Sequence, residues 1–235
     1  RYDVMTATTA EVVEWLEQPG WRPATRASVR ASLRSFFKWA QEEGLRPDNP
    51  AARTRPIRQP ERPVKEAPMD AIEEALESAT PRDRLALSLA AFAGLRRAEI
   101  ANLHADNIDL DRGMLEITGK GGKVRRVPIH PRLLGDLAEV KARGGYAFLG
   151  ADGWSPVTVD AMGRRLGRLL PGKWTAHSLR HAYAGNVYRA SKDIRAVQQL
   201  LGHSSISTTE QYTRVDEDDL RAAVGMWTST IELLE

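Results

Sequence analysis

Apolar residues recur along most of this chain at helical spacing, broken by glycine and proline. Thr9 can cap a helix running to roughly Glu17, and the stretch PATRASVRASLRSFFKWAQEEG predicts a longer one, with Pro23 near its start and Gly44 as its stop. Val29, Leu33, Phe36, Phe37 and Ala40 make one apolar stripe on it. Arg26, Arg30, Arg34 and Lys38 recur every four residues and form a second stripe about 100° away.

The pattern then lapses. From Asn49 to Pro68 the chain holds five prolines and five Lys+Arg against two Glu, with almost no apolar content. It is predicted to be extended and unpacked, an interdomain linker. Beyond it MDAIEEALESA predicts an amphipathic helix, and PRDRLALSLAAFAG a helix apolar nearly all round, hence buried, ending at Gly94. GMLEITGK and KVRRVPIH are strand-like and joined through Gly119, Lys120, Gly121 and Gly122, a hairpin signal. Helices are predicted from Pro131 to Arg143, Thr158 to Leu170, Ser178 to Arg189 and Ile194 to Leu201. In the last twenty residues Leu220, Val224, Trp227, Ile231 and Leu234 share one face of a further helix, with aspartates at its N-terminal end. The fold class expected is mainly α with a small antiparallel β-sheet.

Composition narrows the chemistry. There is no cysteine among the 235 residues, which excludes disulfide scaffolds, thiolate catalysis and cysteine-ligated zinc. No apolar run approaches the roughly 20 residues of a membrane span, and the start is unlike a signal peptide, so a cytoplasmic protein is expected. Positive charge is concentrated before residue 216, while the last twenty residues carry one Lys+Arg against six Asp+Glu. A basic body of this kind suits a polyanionic partner. The arginine stripe at 26–38 therefore reads either as a solvated basic face or as a helix seated on DNA phosphates.

Four polar features lack a simple packing explanation. In GLRRAEI, Arg96 follows the glycine that closes a buried helix; it needs either a phosphate or a salt bridge to Glu99. In GKGGKVRRVP, glycines free Lys120 to approach a ligand, or leave a flexible solvated loop. In TAHSLRHAYA, His177 and Arg180 lie three apart and can grip one anion. His177 and His181 have the spacing of metal ligands, but no glutamate lies between them, and a satisfied core histidine is the plainer alternative. In LLGHSSISTTEQYTRV, His203 and Tyr212 flank a segment too polar to bury, where a lone tyrosine is ordinarily a surface filler. Taken together, two arginines, a lysine, two histidines and a tyrosine suit phosphoryl transfer without a metal.

These motifs, in this order and spacing across residues 65–215, resemble the tyrosine recombinases: phage integrases, Xer-type resolvases and Cre. The resemblance implies that Arg96 and Arg180 clamp a scissile phosphate, that Lys120 protonates the leaving 5′ oxygen, and that His177 and His203 contact non-bridging oxygens. It makes Tyr212 the nucleophile of a 3′-phosphotyrosyl intermediate, with Glu99 and His181 behind the reacting groups. It further implies site-specific DNA recombination or integration through a Holliday junction, on the DNA of a phage or other mobile element, without metal, cofactor or ATP. The expected partners are double-stranded attachment or core sites, a homotetramer assembled on DNA at the nucleoid, and a directionality factor.

On this reading residues 1–50 form a small helical DNA-binding domain, 51–67 a basic Pro-rich linker, 68–215 the catalytic domain and 216–235 a C-terminal helix, docked on a neighbouring protomer or packed on its own. Arg26, Arg30, Arg34, Lys38, Arg53, Arg55 and Arg58 are the candidate DNA contacts. Two departures stand out. The family carries another amphipathic helix ahead of VMTATTAEVVEWL, so an N-terminally trimmed chain is expected; and AYAGN replaces a Phe-Ala-Thr-like run. The rival readings are a type IB topoisomerase, a catalytically silent DNA-binding protein and a metal-dependent nuclease.

Overall fold

The computed structural model describes residues 3–58 and 65–202, with Lys120 described by its backbone. His203, Tyr212 and the helix expected over 216–235 lie outside the described residues. The chain divides into two units, residues 1–62 and 63–235.

In the first unit, α1 (Thr9–Leu16) begins one residue earlier than its sequence predicts. Thr8 is the cap: its hydroxyl accepts from the Glu11 N–H, and the Glu11 carboxylate accepts from the Thr8 N–H at 2.8 Å. The helix α2 (Pro23–Glu42) starts with Pro23 in its first turn, where the missing N–H costs nothing. Val12, Leu16 and Phe37 form the small core with Val29 and Leu33 packed on it. Arg46 is buried beside them, its guanidinium 5.0 Å over the Phe37 ring and donating to the carbonyls of Val4 and Ala7 and to Asp48.

The chain beyond α2 packs further than its composition predicts. Ala51 is fully buried in the Phe37 cluster and Thr54 is buried too, its hydroxyl donating to the Ala51 carbonyl at 2.7 Å. The unpacked segment therefore starts after Thr54 rather than at 51. The reason is local: Ala51 is small enough to enter the core, and Arg30 supplies donors to the Thr54 carbonyl and hydroxyl.

The second unit is built around α4 (Pro81–Phe92), in which every residue from Leu85 to Phe92 is buried. Thr80 caps it through the Asp83 N–H. It packs on α3 (Met69–Ser78), α7 (Val159–Leu169) and α8 (Ala176–Ser191). A five-residue helix, α5 (Arg97–Ala101), follows α4 and packs on α7; it is too short to leave a periodic signal.

Three antiparallel strands come next in the order β1 (Ile108–Asp109), β2 (Met114–Thr118), β3 (Val124–Pro128). Leu115 pairs with Val127 and Ile117 with Arg125. Leu115, Ile117 and Val127 are buried, so Arg125 stands in the row that faces the core. The predicted hairpin is present, its turn a 3₁₀ segment at Lys120–Gly122; the two-residue β1 was not predicted.

The remaining helices are α6 (Leu134–Arg143) and α9 (Ile194–Leu201), the latter capped by Asp193 and stopped by Gly202 at φ +62°. The mainly helical architecture with one small antiparallel sheet is the one expected. Among the described residues no helix is long and apolar enough to cross a membrane.

Candidate active site

The turn after α4 sets the first group. Gly94 adopts φ +63°, and a Cβ there would lie 2.4 Å from Cδ1 of the buried Tyr183 ring on α8. Both the backbone and the space therefore demand glycine. Its carbonyl accepts from Nη1 of Arg180. Gly94→Ala is expected to lower stability by about 3 kcal/mol, from a left-handed penalty plus overpacking, and to disturb the Arg180 contact. Urea unfolding compared with wild type checks it.

Two residues on, Arg96 caps α5 and turns back on Glu99. The Glu99 carboxylate accepts from the Arg96 N–H at 2.7 Å and from its Nη1 at 2.9 Å. The salt bridge weighed as the plain alternative is thus real, but Glu99 is not a private partner. Arg125 on β3 holds the same carboxylate through both terminal nitrogens, at 2.7 and 2.8 Å, and Arg180 Nη1 lies 3.8 Å from it. Three guanidiniums share one carboxylate whose side chain is 3% exposed. Burial pulls the Glu99 carboxyl upward, yet the Arg125 hydrogen bond, the Arg96 N–H and the charges of Arg125 and Arg180 outweigh it and hold it at about 2.

The helix α8 supplies the third and fourth groups. Thr175 caps it through the Ser178 N–H, which places His177 and Arg180 one turn apart at its start. Arg180 is buried, its guanidinium donating to the carbonyls of Gly94 and Leu201. His177 is exposed at the rim. Partial burial and then the charges of Arg180 and Arg96 push its imidazole below the ordinary range, so it is neutral at pH 7. Its ring lies 4.0 Å from that of the buried His181. Arg96, with 41% of its side chain exposed, shares this rim.

Lys120 begins the 3₁₀ turn between β2 and β3. A Cβ on the preceding Gly119 would lie 3.8 Å from Glu99 Oε1 and 3.9 Å from Arg125 Nη1, so the turn that carries Lys120 starts beside the carboxylate. Arg125 is the residue that the sequence reading missed. Period-2 alternation about the buried Val127 points to it, since the neighbours Val124 and Arg126 on the other face are exposed.

The candidate DNA contacts separate into two kinds. Arg26 Nε donates to the Leu16 carbonyl at 2.7 Å and Arg30 to Thr54, so both brace the first unit. Arg34, Lys38, Arg53, Arg55 and Arg58 are exposed. Among the described residues no cluster of three or more His, Asp or Glu could hold a metal ion.

Three guanidiniums around one carboxylate, with His177 close enough to feel the charges of two of them, leave an excess of positive charge, a setting for a phosphate. Comparison with known proteins shows the family. The phage integrase family model matches residues 64–219, and the chain belongs to that family. Tyrosine recombinase XerC from Neisseria meningitidis is 34% identical over 228 residues, 87% of this chain and 73% of the relative. Tyrosine recombinase XerD from Xanthomonas campestris is 34% identical over 90% of this chain and 74% of its own length.

Among solved structures, the integrase from mycobacterium phage Brujita is 30% identical, with 92% of this chain and 76% of that one covered at a TM-score of 0.53. The XerH site-specific recombinase bound to difH superposes at 0.72, covering 94% and 71%, and at 23% identity shows the shared fold. The protein is a tyrosine recombinase, an enzyme of site-specific DNA recombination.

Proposed function

We propose that this enzyme cuts and rejoins double-stranded DNA at attachment or core sites through Tyr212. The phenolic oxygen gives its proton to the neutral His177 imidazole and attacks the scissile phosphorus, the bond to the 5′ oxygen breaks, and Lys120 gives that oxygen its proton. A 3′-phosphotyrosyl ester and a free 5′ hydroxyl result. Attack on the ester by the 5′ hydroxyl of a partner strand reverses these bond changes, so religation needs no ATP; two rounds pass through a Holliday junction. Arg96 and Arg180 balance the charge that grows on the non-bridging oxygens, joined by His177 and His203. Exposed Arg34, Lys38, Arg53, Arg55 and Arg58 hold the DNA backbone, and four protomers assemble on it, with a directionality factor choosing between integration and excision.

The convergence of Arg96 and Arg180 on Glu99, with His177 under the charges of both, is the observation that carries this reading, because an anion held there gives these separated motifs one task. The test is a DNA nicked within the core site, incubated with the full chain in EDTA. The expected product is a covalent protein–DNA adduct on the 3′ side of the break, with a free 5′ hydroxyl. Attachment at the 5′ end, or cleavage that stops in EDTA, overturns the proposal.

A further inference from the structure

The C-terminal end of α9 presents two successive carbonyls, and each is held by an arginine that also reaches Glu99. Arg125 Nε donates to the Leu200 carbonyl at 2.8 Å while its two terminal nitrogens hold the Glu99 carboxylate. Arg180 donates to the Leu201 carbonyl and lies 3.8 Å from the same carboxylate. Helix C-termini carry unpaired carbonyls and the negative end of the helix dipole, so cations stabilise them. Gly202 closes the contact: a Cβ there would lie 3.0 Å from Cδ of Arg125. In the sequence His203 is the next residue and Tyr212 follows nine positions later.

We propose that Arg125 is a positioning residue of the recombination reaction, a three-point clamp that ties the end of α9 to Glu99 and so fixes the point, Gly202, after which His203 and Tyr212 follow in the sequence. This rests on the assignment of Tyr212 as nucleophile. The guanidinium is matched to the task because its planar fork holds both carboxylate oxygens while Nε reaches a third acceptor. An ammonium is a single point charge and cannot keep the three acceptors in one plane. The side chain is 10% exposed and lies behind the rim, so it acts through the groups it holds.

Single-turnover cleavage of the nicked DNA at saturating protein, measured for wild type, Arg125→Lys, Arg125→Ala and Tyr212→Phe, tests the clamp. Arg125→Lys is expected to bind DNA within about twofold of wild type and to cleave about 10²-fold more slowly, the cost of a misplacement of about 1 Å. Replacing the 5′-bridging oxygen by sulfur, which removes the need for Lys120, should leave that defect in place. The pH profile supplies a readout that a mere brace would not move.

Glu99 is faced by Arg96 on its own turn, by Arg125 on β3 and by Arg180 on α8, with the Tyr183 phenol, raised by burial, beyond them. Arg125→Ala removes the strongest of the interactions that hold the carboxyl down, so the acid limb of cleavage should move to higher pH than in wild type. Arg125→Lys cleaving within twofold of wild type beside an inactive Tyr212→Phe overturns the clamp alone. So does rescue by sulfur, or a loss of rate that follows the loss of folded protein with an unchanged pH profile. Absence of a wild-type adduct overturns the nucleophile assignment together with the clamp.

Discussion

Replacing Tyr212 by phenylalanine is expected to abolish the covalent adduct with nicked DNA, lowering cleavage at least about 10⁴-fold, while DNA affinity stays within about twofold of wild type. The substitution removes one oxygen and keeps the ring. A phenol of ordinary pKa near 10 is a poor nucleophile until it loses its proton, so the proposed reaction depends on that oxygen and on what takes its proton. Without the oxygen no other side chain in the motif set can form the ester, and water must attack unaided. A gel assay for the adduct and a binding titration on the same DNA separate the two effects. A persisting adduct in the variant would remove Tyr212 from its role.

The largest effect on stability is expected at Glu99. Glu99→Gln keeps the shape of the side chain but leaves the guanidiniums of Arg125 and Arg180 buried against a neutral amide, and breaking such a cluster by removing one partner costs about 3–5 kcal/mol. The melting temperature should fall by roughly 10 °C for a chain of this size. Cleavage should fall with it, because Arg96 loses the carboxylate that orients its guanidinium at the rim.

The pH dependence follows from the depressed carboxyl. Its folded value of about 2 lies below the ordinary 4.5, so its stabilisation is complete above pH 4.5 and disappears as pH falls through 2. That difference corresponds to about 3 kcal/mol. The stability gap between wild type and Glu99→Gln should therefore be widest near neutral pH and narrow in acid. A gap that is constant with pH would mean that Glu99 is not ionised in the folded protein.

Much of this could be read from the residues alone. The all-round apolar run of α4 announced a buried helix, and its eight consecutive buried residues are that helix. The glycine stops at Gly44 and Gly94 and the glycine-rich hairpin located element ends, while the cap of α1 is Thr8 rather than Thr9. The positions of Arg96, Glu99, His177 and Arg180 on the turn and helix that bring them together were also legible, because each motif sits at the end of a strongly patterned element.

What escaped is tertiary. Arg30 reaches Thr54 across 24 residues, a pairing with no local signature, so the basic stripe looked uniform when Arg26 and Arg30 are in fact anchored and Arg34 and Lys38 are exposed. The partners of Arg125 leave no local signal, because its carboxylate lies 26 residues upstream and its carbonyl acceptor 75 downstream. The alternation that would have turned it inward is only five residues long. Composition likewise hid Ala51, since a proline-rich run gives no sign that one alanine within reach of Phe37 is buried.

The Glu99 cluster also governs when the enzyme becomes competent during synthesis. Its contacts join residues 94–99, 125, 180 and 200–201, with separations of up to 86 along the chain. Such long-range closures form late in folding, after the local helices. Arg96 emerges from the ribosome long before Arg180, and the end of α9 that both arginine clamps grasp emerges after them. A nascent or truncated chain ending before residue 200 carries Arg96, Arg125 and Arg180 without the carbonyls of Leu200 and Leu201 that the last two hold, so the cluster around Glu99 closes only when α9 is complete.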